Sequence, residues 1–117
     1  MFSDVLDKEE DRMNLIRDVL KTLTKREENV LRLYFGIDGT RLSLAEIGQD
    51  YDITQDSVRR IKNKGIRKMM HPTRSNSLIS HIDKDLIERC IDERKSKLLD
   101  EFMVKLLKID WEEWVLK

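Results

Sequence analysis

Apolar residues recur every three or four positions along much of this chain, the spacing that gathers them on one face of a helix. Met13, Ile16, Leu20 and Leu23 make one such stripe and predict a first helix from about Asp7 to Lys21. Val30, Leu31, Tyr34 and Phe35 make a second inward face. Ahead of it, Thr24 with Glu27 three residues later forms a capping box, in which hydroxyl and carboxylate each satisfy a free backbone N–H. Gly36 is placed to end that helix in the left-handed conformation glycine tolerates. Ser43 with Glu46 is a second capping box, opening a short helix from about Leu44 to Asp50 with Leu44 and Ile47 inward. "YDI" turns the chain, and Thr54 is a good N-cap for a helix from about Gln55 to Met70. There Val58, Ile61, Ile66 and Met69 face the core, and Gly65 permits close packing.

His71–Pro72 breaks that helix, since proline cannot continue it and biases the residue before it. A further helix is expected from Ser75 to His81. In the last third, Ile87 and Ile91 are followed by the ladder Leu98/Leu99, Phe102/Met103, Leu106/Leu107, spaced four apart with charges opposite. Trp111 and Trp114 share a side near its end. Period-2 alternation is absent, so the expected fold class is all-α. Two helices joined by a tight turn, the second basic and capped by threonine, make a helix-turn-helix. An amphipathic helical extension follows it.

Composition narrows the class. A chain of 117 residues is one domain, or one small domain with an extension. The expected division is an acidic N-terminal helix over 1–22, a helix-turn-helix domain over 23–82 and a helical extension over 83–117. The single cysteine, Cys90, rules out an internal disulfide and reads as a small core residue on the apolar side of its helix. Two histidines and one cysteine, far apart, do not make a zinc site. Nothing places Ser, His and Asp together as a nucleophile system, so no catalytic residue, metal or cofactor is expected and the protein is not read as an enzyme. The opening "MFSDVLDKEEDR" lacks the apolar core of a signal peptide, and no apolar run approaches a membrane span. These features predict a soluble protein of a reducing, cytoplasmic compartment.

Charge sharpens the picture. The chain holds 23 basic and 23 acidic residues, a formal charge of zero. Yet residues 53–74 carry Arg59, Arg60, Lys62, Lys64, Arg67, Lys68 and Arg74 against Asp56 alone, a net of +6. Acidic flanks balance this basic centre. Such a pattern suits a local anionic partner, bordered by surfaces that do not adhere to nucleic acid.

The run "LTKREENVLRLYFGIDG", then "LSLAEIGQDYDITQDSVRRIKNKGIRKMMHPTRS", resembles region four, the carboxy-terminal domain of primary-type bacterial sigma factors. The resemblance covers about Leu23 to Ile82. The general "LT-x-RE-x-x-VL-x-L" pattern followed by an EIG helix-turn-helix is shared with response-regulator output domains. "FGIDG" before the loop and "IRKMMHPTRS" after the basic helix match the sigma pattern only. The resemblance implies a module that docks on the β-flap of RNA polymerase and reads the −35 region of promoter DNA in the major groove. By matching positions it implies base and backbone reading by Gln55, Asp56, Arg59 and Arg60, beside the cap residues Thr54 and Ser57. Lys62 and Lys64 are read as phosphate contacts, and Arg67 and Lys68 as phosphate or protein contacts. Side-chain chemistry agrees: Arg59 and Arg60 can fork to guanine O6 and N7, and Gln55 can pair with adenine. Polymerase contact is implied for Val30, Leu31, Tyr34, Phe35 and Ile37. Lys64 and Arg67 are also candidates for a neighbouring activator.

Departures from the family pattern limit what carries over. The family usually has arginine at position 55, glutamate at 56, glutamine at 60 and glutamate at 62; here these are Gln55, Asp56, Arg60 and Lys62. The usual −35 consensus is therefore not assumed. Regions that melt the promoter have no counterpart in these residues, so as a complete protein the chain is expected not to open a promoter alone. A bacterial or phage-encoded sigma-like adaptor is the favoured expectation. Two alternatives stand beside it: a polymerase-binding co-activator or inhibitor that does not read DNA, and a dimeric helix-turn-helix regulator. The 83–117 extension either folds back on the core or binds a second protein or a second copy.

Overall fold

The computed structural model describes residues 2–37, 39–76, 78, 84–93, 96–109 and 114. Among the described residues every regular element is a helix: α1 (Phe2–Leu20), α2 (Lys25–Phe35), α3 (Leu44–Tyr51), α4 (Gln55–Met70), α5 (Pro72–Ser75), α6 (Lys84–Glu93) and α7 (Ser96–Leu107). The fold is all-α, with α3 and α4 as the helix-turn-helix. No described helix is long and apolar enough to cross a membrane.

Both capping boxes form as their sequences predict. Thr24 Oγ1 accepts from the Glu27 N–H at 3.2 Å, and Glu27 Oε1 accepts from the Thr24 N–H at 3.1 Å. Ser43 and Glu46 repeat the exchange at 3.1 and 3.0 Å. Gly36 closes α2 with φ +64°, its N–H returning to the Arg32 carbonyl. Elsewhere the boundaries shift. Helix α1 begins at Phe2 rather than near Asp7, and Leu44 and Ile61 pack against the core while staying half-buried.

Of the helix expected from Ser75 to His81, the described residues are helical: Ser75 ends the single turn of α5, and Asn76 and Leu78 have 3₁₀ geometry. His71 ends α4 and caps α5 at once: its N–H reaches the Lys68 carbonyl, and its Nδ1 accepts from the Thr73 N–H at 3.3 Å. Pro72, which lacks an N–H, then occupies the first helical position, where none is needed. Residues 77 and 79–83 lie outside the described residues, as do Trp111 and the side chains of Cys90 and Ile91.

One core runs through the molecule. Ile16 and Leu20 of α1, Val30 and Leu31 of α2, Ile47 of α3, and Val58, Ile66 and Met69 of α4 are each fully buried. Burial of such side chains stabilises by about 1.5–3 kcal/mol each. Helices α2 and α4 approach closely because Gly65 lacks a side chain; a Cβ there would lie 3.1 Å from Leu31 Cδ1. The turn between α3 and α4 depends on a second glycine. The Ile53 N–H binds the Gly48 carbonyl at 2.9 Å, and a Cβ on Gly48 would stand 2.7 Å from the Ile53 oxygen.

The C-terminal extension folds back. Leu98, Leu99, Phe102, Met103, Val104, Leu106 and Leu107 are buried in the same core, and α7 lies against α4 and α6. The apolar ladder thus finds its partner within the chain. Lys108, at φ +58°, stops α7, and the Ile109 N–H returns to the Val104 carbonyl at 3.0 Å.

Candidate nucleic-acid interface

The first turns of α4 present the residues expected to read DNA. Thr54 caps the helix, accepting from the Ser57 N–H at 3.1 Å, and its hydroxyl also meets Ser57 Oγ at 2.8 Å. Exposed Gln55 follows. Asp56 sits between two guanidiniums, 2.9 Å from Arg59 and 3.1 Å from Arg60. The helical spacing of three and four residues brings all three together on one face. Exposed ion pairs of this kind contribute about 0–1 kcal/mol, so either arginine can exchange Asp56 for a phosphate or a base edge. The Arg60 side chain is 80% exposed, which leaves it free to reach outward.

Further along α4, Lys64 and Arg67 are exposed. Their neighbours are not. Lys68, expected as a phosphate or protein contact, holds Glu27 of α2 at 2.8 Å and ties the two helices together. Burial would raise the Glu27 carboxyl, but the hydrogen bonds from Lys68 and Thr24 outweigh it and hold it below its ordinary range.

Lys62 departs furthest from expectation. Its side chain is 1% exposed, its ammonium lies 2.7 Å from Asp100 of α7, and it stands 5.0 Å over the Tyr34 ring. Burial pushes the ammonium below its usual range, and Asp100 draws it back only in part. In this arrangement Lys62 offers no surface to a phosphate. The signal was in the spacing: Lys62 is four residues after Val58 and four before Ile66, on the apolar stripe itself. A lysine there needs a buried acid, and Asp100 supplies it.

The residues expected to meet polymerase lie mostly inside. Val30 and Leu31 are fully buried between helices, Phe35 is 3% exposed, and Ile37 is half-buried. Tyr34 donates its hydroxyl to the second Asp100 oxygen at 3.0 Å. Burial, first, and the neighbouring carboxylate raise the phenol above its ordinary value. Over Tyr34 and Phe35 lies Trp114, stacked on Phe35 with centroids 5.6 Å apart at 20° and edge-on to Tyr34 at 5.4 Å. Arg41 closes the cluster, its guanidinium 3.9 Å over the Trp114 ring and bonded to the Trp114 carbonyl. Contact through Tyr34 and Phe35 therefore requires Trp114 to move. Asp100, Arg41 and Trp114 were not among the expected functional residues; Asp100 and Trp114 come from a segment distant in sequence, and Arg41 from the loop after α2. Among the described residues, no group of three or more His, Cys, Asp or Glu could hold a metal ion.

Comparison with known proteins fits this geometry. Residues 19–71 match the family model of sigma-70, region 4. The RNA polymerase sigma factor SigA of a Bacillus species is 47% identical over 74 residues, which are 62% of this chain and 18% of that protein. The RNA polymerase sigma factor RpoD of Neisseria gonorrhoeae is 44% identical over 70 residues, 59% of this chain and 11% of that one. SigA of Listeria monocytogenes is 47% identical over 74 residues, again 62% and 18%. The chain spans less than a fifth of the length of these curated relatives. The family match takes in α2, α3 and α4 and stops before α6 and α7.

Proposed function

We propose that this chain, whose residues 19–71 match sigma-70 region 4, contacts the −35 region of promoter DNA through α4 and the RNA polymerase β-flap through the side of α2 that carries Tyr34 and Phe35. In this reading residues 23–82 are the working domain, 1–22 lead into it, and 83–117 are a regulatory extension. One observation carries the DNA half. Gln55, Asp56, Arg59 and Arg60 stand together at the exposed start of a threonine-capped helix, where a helix-turn-helix presents its base-reading residues. Arg59 and Arg60 read guanine edges, and Gln55 an adenine. Lys64 adds affinity through phosphate, without sequence information.

The test pairs two measurements: calorimetric binding to the isolated β-flap, and promoter-specific transcription or footprinting by polymerase supplied with this chain. The wild-type chain binds the flap and protects a −35 element, and replacing both Arg59 and Arg60 with alanine abolishes protection without weakening flap binding. Unchanged protection in the double variant refutes the DNA half. A second reading, in which the chain modulates polymerase without reading DNA, draws support from Asp56, which engages both arginines in the free protein. Unchanged transcriptional effect in the double variant, with flap binding intact, selects that reading.

A further inference from the structure

We infer that α7 and Trp114 act as a built-in cap on the polymerase-facing side of α2, displaced when polymerase binds. The inference rests on the proposed polymerase contact and deepens it.

The cap is selective. It covers Tyr34, Phe35 and Lys62, while Gln55, Asp56, Arg60 and Lys64 stay exposed on α4. In the free chain one proposed surface is therefore open and the other closed. The cap also lies beyond the family match, which ends at residue 71, so the helix-turn-helix and the element covering it are separable in sequence.

Its chemistry suits replacement. Helices α2, α3 and α4 pack through fully buried apolar side chains, with the Lys68–Glu27 pair bridging α2 and α4. The cap instead meets the core through a carboxylate shared by Lys62 and the Tyr34 hydroxyl, and through an indole held between Phe35 and the Arg41 guanidinium. Desolvating a charged pair offsets much of the attraction between its members, so these polar contacts fix the cap's position more than they strengthen it. A competitor needs only the same groups on one helix: a bulky aromatic or aliphatic side chain for the Phe35 site and one carboxylate for Lys62. The partner is thus an amphipathic helix of polymerase with an apolar stripe and an acidic residue on it.

The experiment uses the full chain and the isolated β-flap. Flap affinity is measured by calorimetry for the wild type and for Trp114→Ala, with circular dichroism confirming helix content in both. In parallel, the Trp111→Phe chain, with Trp114 its sole tryptophan, is titrated with flap while acrylamide quenching is followed. The inference expects Trp114→Ala to bind about tenfold tighter, the change for a site open about one-tenth of the time, and Trp114 to become quenchable in the complex. Equal affinity of a folded Trp114→Ala chain, or a Trp114 still shielded in the flap complex, overturns the cap and leaves the polymerase reading standing. Flap binding by Trp114→Ala but not by wild type supports the cap in its strongest form. If neither chain binds, the polymerase reading fails and the inference falls with it. Should Trp114→Ala not fold, quenching in the Trp111→Phe chain decides alone.

Discussion

The Lys62 ammonium lies 2.7 Å from the Asp100 carboxylate, a contact between residues 38 apart that joins the basic helix to the C-terminal extension. The Tyr34 hydroxyl takes the other Asp100 oxygen, so one carboxylate links α2, α4 and α7. Breaking a buried pair from one side strands a charge, at a cost of about 3–5 kcal/mol. Asp100→Asn and Lys62→Met are each expected to lower the unfolding free energy, read from urea melts, by that order. Combining Tyr34→Phe, Lys62→Met and Asp100→Leu removes every stranded group and recovers most of the loss. A triple variant as unstable as the worst single one would show that the carboxylate's role is not electrostatic.

Acid sensitivity follows from Glu27. Its folded-state carboxyl lies below the ordinary value of 4.5: burial opposes this, but Lys68 and Thr24 overcome it. A group held below its unfolded value contributes stability that is complete above that value and is lost as pH falls through the folded one. Denaturation midpoints should therefore decline as pH drops below the ordinary value of 4.5 and through the lower folded-state one. Glu27→Gln should flatten that decline and, at neutral pH, cost about 1 kcal/mol for the lost ion pair and weakened cap. A Glu27→Gln chain with the wild-type acid profile would exclude Glu27 as the source.

The two helical glycines at close contacts separate by what they touch. At Gly48 a new methyl meets a backbone oxygen at 2.7 Å, which cannot yield without opening the turn. Overpacking of about 1–3 kcal/mol exceeds the gain in helix propensity of about 1 kcal/mol, so Gly48→Ala is destabilising. At Gly65 the obstacle is the tip of the Leu31 side chain at 3.1 Å, which can rotate away. Gly65→Ala is expected within about 1 kcal/mol of wild type. Thermal melts of both variants check the order, and a Gly65→Ala loss equal to that of Gly48→Ala would contradict it.

On DNA, Arg60 and Lys64 should behave differently. If Arg60 reads a base as proposed, Arg60→Ala is expected to cost about 1–3 kcal/mol on the preferred site while relaxing preference at one position. Lys64→Ala should weaken binding evenly across sequences and reduce the salt slope by about one. Competition binding at several salt concentrations distinguishes them; identical profiles would assign both residues to phosphate.

The sequence by itself determined the all-α class, α2, α4 and their caps. Those features are local: a hydroxyl and a carboxylate three residues apart, a glycine after an apolar face, a proline after a helix. It also placed Gln55, Asp56, Arg59 and Arg60 together, because helical spacing alone brings them to one side. Tertiary structure decided the destinations of the remaining groups. Lys62 and Lys68 sit in the same basic run as Arg60 and Lys64, yet the first is buried against Asp100 and the second is tied to Glu27. Charge counts register a lysine but not the acid that another helix brings to it. The cover over Tyr34 and Phe35 was likewise beyond any local pattern. It depends on a Lys108 turn without the usual glycine and on a tryptophan that returns to α2, contacts set by the packing of distant segments.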